Sequence, residues 1–333
     1  MSEVTTPAAA PAAAQAGSGS PGRIAAATRL GPVRLTVSDL RRARAFYEEV
    51  LGLVARDVDG NRASFGASPS GEPLVEVLAD ASAAPLDRRA TGLYHLAILL
   101  PSRRDLAHAL LRLARSRWPL DGASDHLVSE ALYLSDPDGN GIELYRDRPR
   151  EQWTYDQGAL RMSTLPLDLE GVARAALDGQ GAAAGERPAA AGLAGGLSSL
   201  PAPPATVPAG TVIGHVHLQV AELALTEAFY AGALGFDVMV RTYTGALFVS
   251  AGGYHHHLGL NTWHSAGGPR PAPGAVGLRS FDVVAPDQLE LERILARLQA
   301  AGHTPLGGPG DDMPPGAFGV RDPSGNLVVL RSA

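Results

Sequence analysis

Residues 31–53 read GPVRLTVSDLRRARAFYEEVLGL, and residues 214–236 read GHVHLQVAELALTEAFYAGALGF. Both run in the same order: an apolar stretch, a polar break, an Ala-Phe-Tyr triplet and a Leu-Gly-apolar exit. The first part of each reads as a strand. The three-to-four spacing of Ala43, Phe46 and Val50 reads as a helix with its arginines outward. Asp39 sits where a helix N-cap belongs. Repetition of this kind is weighed before any fold, because it decides the architecture. Weaker copies start at Gly92 (GLYHLAILLPSRRDLAHALLRLA, with Ser102 as N-cap) and at Gly277 (GLRSFDVVAPDQLELERILARLQAAG).

Three shorter strand candidates follow each helix. They lie at 53–58, 62–66 and 74–78, then at roughly 121–128, 131–135 and 141–145. The third set is 236–243, 246–251 and 254–261. The fourth has a weak candidate near Thr304, then 317–321 and 326–331. The unit is βαβββ, four times over, which predicts an α+β fold of two cup-shaped mixed-sheet barrels. Helices cover one face of each sheet, and the other face curves into a cup where ligands bind. Residues 1–28, rich in Ala, Pro, Ser and Gly, read as a disordered tail. The first two modules occupy 29–150 and the last two 211–333. Residues 151–210 connect them, with a short helix at 167–176 and then an Ala/Gly/Pro-rich stretch of flexible-linker composition.

Composition removes whole classes of chemistry. Among 333 residues there is no cysteine, so disulfides, thiolate nucleophiles and sulfur-ligated metals are excluded. Every base is an arginine, which excludes Schiff-base chemistry and the P-loop lysine. A net charge of -6 without a basic patch argues against nucleic acid. No apolar run is long enough to span a membrane. The first residues lack the charged start and apolar core of a secretory signal, so a cytoplasmic location is the expectation. A homo-oligomer is left open.

The most informative stretch is SDHLVSEALYLSDPDGNGIELYRD, residues 124–147. Asp136-Pro137 and Asn140-Gly141 are turn chemistry, and the apolar runs on either side make a hairpin. Glu143 inside the second strand is out of place on an ordinary sheet face. Of the ten histidines, His95 and His215 fall at matching places in the first strands of the second and third modules. The matching residues in the first and fourth are Pro32 and Ser280. Two imidazoles and a carboxylate form the facial triad that suits non-haem Fe(II), and zinc accepts the same donors. His217 shares a strand face with His215 and is its rival as ligand. Alternation separates His256 from His255 and His257, which the reading places on the third module's last strand. His108 and His303 are expected to face solvent. Trp263, Tyr243 and Phe248 are candidates to line an aromatic pocket, with ordinary core as the competing role.

Four βαβββ units with a metal in the cup resemble the vicinal oxygen chelate superfamily. It includes glyoxalase I, fosfomycin-resistance and bleomycin-binding proteins and type I extradiol dioxygenases. The order His126, Leu132-Tyr133, Asp136-Pro137, Gly139, Glu143 is similar to the extradiol signature in every spacing, with Ser124 departing from the residue preferred there. YHHHLGL at 254–260 resembles that family's histidine pair followed by apolar residues. The resemblance is closest to the catechol 2,3-dioxygenase-like branch. It implies that His95, His215 and Glu143 bind Fe(II), with Mn(II) as the alternative. It also implies that His256 is the acid–base residue and that Tyr133 and His126 hold the oxygens of a small aromatic diol, catechol or hydroquinone in type, cleaved with O2. A glyoxalase-like lyase or isomerase is the second reading, and a metal-free binder of small aromatics the third.

One departure shapes the expected architecture. In two-domain enzymes of that kind, one half of the chain supplies all three ligands, and here neither half is complete. The second module is therefore expected to pair with the third, and the first with the fourth, within one chain or across a dimer. The rival pairing of modules one and two would offer His95, Glu143 and Glu76.

Overall fold

The computed structural model describes residues 22–177, 201–307 and 313–333. The first module comprises β1 (Arg29–Val37), α1 (Leu40–Arg44), β2 (Val54–Asp59), β3 (Arg62–Gly66) and β4 (Pro73–Ala79). The second comprises β5 (Gly92–Leu99), α2 (Arg103–Ser116), β6 (Gly122–Asp125), β7 (Ser129–Ser135) and β8 (Gly141–Asp147). The connecting segment holds β9 (Tyr155–Asp156), β10 (Ala159–Leu160), β11 (Leu165–Pro166) and α3 (Leu169–Arg174). The third module comprises β12 (Val212–Gln219), α4 (Leu223–Glu227), β13 (Asp237–Val240), β14 (Ala246–Ser250) and β15 (Leu258–Asn261). The fourth comprises β16 (Gly277–Ala285), α5 (Gln288–Ala300), β17 (Leu306–Gly307), β18 (Phe318–Arg321) and β19 (Leu327–Ser332).

Two curled mixed sheets result, in an α+β arrangement. Among the described residues, one has the order β17-β18-β19-β16-β1-β4-β3-β2 and joins the fourth module to the first. The other, β11-β6-β7-β8-β5-β12-β15-β14-β13, joins the second to the third. The crossed pairing inferred from the missing ligands is thus made within one chain. Its seam is antiparallel β5 against β12, with His217 opposite His95 and His215 opposite Ala97. Side chains alternate along each strand. Leu96, Ile98, Val216 and Leu218 accordingly point into the core, while His95, His215, His217 and Gln219 line the cup. Leu106, Leu110 and Leu113 of α2 bury their face in that same core. Ser102 and Asp287 cap α2 and α5 by accepting from Asp105 N and Glu290 N.

Both Ala-Phe-Tyr triplets continue their helices as π-helical turns, Ala45–Val50 and Ala228–Ala233. Each turn buries a tyrosine whose hydroxyl bonds an aspartate in the next module. Tyr47 reaches Asp136 at 3.1 Å, and Tyr230 reaches Asp322 at 3.1 Å. Asp136 also accepts from Asn140 N and Nδ2, and Asp322 from Asn326 N and Nδ2, all at 2.9 Å. The Asp-Pro-x-Gly-Asn turns are thereby fixed, and the two sheets are tied together within each half of the chain.

Several expectations are adjusted. Residues 22–28, read as tail, are packed: Ile24 is buried, its N–H bonds Gly235 O, and Ala25 N bonds Glu290. Residues 1–21 lie outside the described residues. The connecting segment pairs β11 onto β6 and seats Val207 against Gly52 O; residues 178–200 of it lie outside the described residues. His108 and His303 are half-buried rather than solvent-facing, and the His303 ring packs on Phe229. His255, His256 and His257 precede β15 instead of lying in it. No helix among the described residues is long and apolar enough to cross a membrane.

Candidate active site

The cup of the second-and-third-module sheet opens into a cavity of about 820 Å3. Three neighbouring strands bring His95, Glu143 and His215 together at its floor. Their ligating atoms all lie within 4.8 Å of one another. His95 Nε2 stands 2.9 Å and His215 Nε2 3.0 Å from the same oxygen, Glu143 Oε2. His95 Nε2 is buried and makes no hydrogen bond there, so its lone pair has no partner of its own. Burying such a nitrogen without a partner is costly, and a cation at the shared point would satisfy both imidazoles and the carboxylate. The triad therefore fits a metal by geometry and by donor set.

Charge states agree with that fit. Burial pushes His215 down from 6.5 to about 4, so it is neutral at physiological pH. Burial alone would raise the Glu143 carboxyl, but His215 and His95 outweigh it and hold it well below the usual range. Neutral imidazole and ionised carboxylate are the ligating forms. His217, the rival ligand, packs its ring 4.9 Å from that of His95 but is not among the three whose ligating atoms converge. Its ring lies among Tyr94, Phe248 and Trp263 at centroid distances of 5.1, 5.7 and 5.5 Å, and its buried Nε2 has no partner.

The other predicted residues ring the triad. His126 Nδ1 donates to Ser163 O at 2.7 Å, which leaves Nε2 to accept from the Tyr133 hydroxyl at 2.6 Å. Burial first, and then the Glu143 charge, push the Tyr133 hydroxyl well above its usual range, so it stays protonated. His256 lines the cavity with its ring 4.1 Å from that of His215. Burial, reinforced by the surrounding histidines, holds His256 well below the ordinary imidazole value. Tyr243, Phe248 and Trp263 do line the cavity, and Tyr94 and Gln219 join them without having been singled out. Gln219 alternates with core residues on β12, and that alternation was the available signal. Tyr94 reaches the cavity beside His95 because the β5 ladder is irregular there, His217 facing His95 and Leu218 facing Leu93.

The opposite cup shows why, among the described residues, no second such triad forms. In its seam Arg34 faces Ser280, the register held by His217 and His95 in the first cup. Arg34 pairs with Glu76 at 2.6 Å and with Asp282, and Arg331 joins Asp282 at 2.6 Å. An ion-pair network fills the space where ligands would converge. Glu76 belongs to it, so the rival set of His95, Glu143 and Glu76 is not assembled.

A two-sheet fold of βαβββ modules with one His-His-Glu cup defines a class, and similarity to known proteins names it. The family described as the Glyoxalase/Bleomycin resistance protein/Dioxygenase superfamily matches residues 29–144 and 212–330, and the chain belongs to that superfamily. Within it the chain falls in the catechol 2,3-dioxygenase-like branch of ring-cleaving enzymes. It is 41% identical over 282 residues to a catechol-2,3-dioxygenase of Bacillus subtilis (strain 168), covering 83% of this chain and 90% of that protein. Among solved structures, a dioxygenase from Bacillus subtilis subsp. subtilis str. 168, described as putative in its own name, aligns with a TM-score of 0.59 at 14% identity, over 91% of this chain and 84% of its own. Glyoxalase I from Zea mays aligns with a TM-score of 0.51 at 18% identity, over 91% and 92%. Those two likenesses speak to the fold.

Proposed function

We propose that this chain cleaves an aromatic diol of catechol or hydroquinone type with O2, outside the diol, using Fe(II) held by His95, His215 and Glu143, with Mn(II) as the alternative metal. One observation carries the reading: the triad, the His126–Tyr133 pair and His256 all face a single cavity. A glyoxalase-type lyase has no need of the last three together.

Bound there, Fe(II) supplies Lewis acidity toward a chelating diol and an electron path between the ring and O2. The chain's own residues do the rest. Tyr133, whose proton goes to His126 Nε2, turns its oxygen to the cavity beside Glu143 and accepts from a diol hydroxyl. His256, kept neutral by its surroundings, takes a diol proton and returns it when the ring opens. Tyr94, Phe248 and Trp263 give the ring an aromatic wall and exclude water from the floor of the cavity. The catechol-2,3-dioxygenase name of the 41% identical relative points the same way.

The test is anaerobic loading of the full chain with Fe(II), followed by catechol and O2. A yellow ring-opened product with matching oxygen uptake is expected. Full activity in Glu143→Ala or His215→Ala would overturn the triad. Normal turnover in an iron-replete His256→Ala would overturn the acid–base role.

A further inference from the structure

Behind His256 runs a line of buried and half-buried polar groups that the proposed chemistry has not used. His255 is fully buried, and its Nδ1 lies 2.7 Å from His256 Nδ1. Its Nε2 lies 2.9 Å from Asp147 Oδ1. The Tyr254 hydroxyl donates to the same Asp147 oxygen at 3.1 Å, and the Tyr145 hydroxyl is 2.7 Å from that of Tyr254. Asp147 stands four residues beyond Glu143 on β8, so one strand face carries the metal carboxylate, Tyr145 beneath His215, and then Asp147.

We propose that Asp147 and His255 are positioning residues that fix the tautomer and the orientation of His256. The inference rests on the acid–base reading of His256 given above. The reasoning is one of donors and acceptors. An ionised carboxylate only accepts, so His255 Nε2 carries the proton. With the one ring proton of His255 held at Nε2, its Nδ1 offers a lone pair, and His256 Nδ1–H donates to it. His256 Nε2 is the nitrogen left for the cavity, and it is unprotonated, which is the form a base needs. Without this chain the ring could place its proton on Nε2 and meet the diol as a donor. The rings of His215 at 4.1 Å and Phe248 at 5.0 Å hold the imidazole plane, so the tautomer is the variable left to set.

The test has two readouts. The first is histidine-ring 15N NMR of the full-length, metal-free chain, with the His256 signals identified by their loss in His256→Gln. Wild type is expected to show the Nδ1–H tautomer at His256. Asp147→Leu, or His255→Gln if the leucine variant does not fold, is expected to shift it to the Nε2–H form. Asp147→Asn keeps an accepting oxygen and restores the wild-type form, and Tyr254→Phe leaves it unchanged. The second readout is kinetic: in the Fe(II)-loaded leucine variant kcat falls about 10²-fold, the low end for losing a general base, while KM and iron content stay within about twofold. An Nε2–H tautomer in wild type, or an unchanged tautomer in both Asp147→Leu and His255→Gln, overturns the proposal. Failure of the wild type to cleave any diol counts against the function and leaves the tautomer result to be read separately.

Discussion

Take the metal-free protein from pH 7 to pH 5. His215 is buried with its pKa lowered from 6.5 to about 4, and His257 is lowered to about 3, in both cases by burial first. Unfolded, each titrates near 6.5. Between that value and the folded pKa the unfolded chain binds the extra proton, so stability rises with pH and is lost as pH falls below 6.5. At pH 5 the gap is about 1.5 units, or about 2 kcal/mol for each histidine at 1.36 kcal/mol per unit. The two together give about 4 kcal/mol, and His217 and His256, shifted the same way, add to it. That is a large share of the roughly 5–15 kcal/mol available to a folded domain. Lowering of Glu143 acts only below 4.5, outside this window. Urea denaturation followed from pH 7.5 to 4.5 measures the loss directly. His257→Asn is the internal control, because an amide oxygen can still accept the Ala251 N–H that His257 Nδ1 accepts at 3.1 Å; it should recover about 2 kcal/mol of the loss at pH 5. Stability that is flat between pH 7 and 5 would refute the reasoning.

Further outcomes follow from single contacts. Glu143→Gln should keep the fold by circular dichroism yet lower bound metal at least about tenfold by elemental analysis, since truncating one ligand of a converged set removes its charge. Tyr47→Phe and Tyr230→Phe should each cost about 1 kcal/mol in thermal or urea unfolding, and the double variant should cost the sum, because the two bonds share no partner. At Gly214 an added Cβ would collide with the Tyr145 hydroxyl. Gly214→Ala should therefore destabilise by about 1–3 kcal/mol, and Tyr145→Phe in the same chain should recover part of that loss by removing the oxygen.

Much of this was legible in the residues. The two Ala-Phe-Tyr repeats, with the weaker copies at Gly92 and Gly277, mark four modules, and the turn at 136–141 places Glu143 in a strand, because turn chemistry and strand period are local properties. Even the crossed pairing of modules was readable, since Pro32 and Ser280 cannot ligate and neither half of the chain carries two strand histidines and a glutamate at matching places. What local pattern could not supply was depth. His303 looks exposed after a helix, but Phe229 covers it from another module. The three histidines at 255–257 resemble strand residues, yet they sit in the approach to β15, where His255 meets Asp147 from a strand more than a hundred residues earlier. Likewise nothing near Arg34 announces that Asp282 and Arg331 will close the second cup around it.

The seam between β5 and β12 also bears on how the protein comes into being. The first half of the chain emerges from synthesis with His95 and Glu143 in hand but with the seam edge of β5 unpaired. Until β12 arrives, that edge is an open template for any strand nearby. Long-range pairing of this kind forms late and slowly. The nascent chain must therefore keep the edge from pairing wrongly while it waits, and the three side chains proposed to hold the metal converge only once β12 has docked on β5.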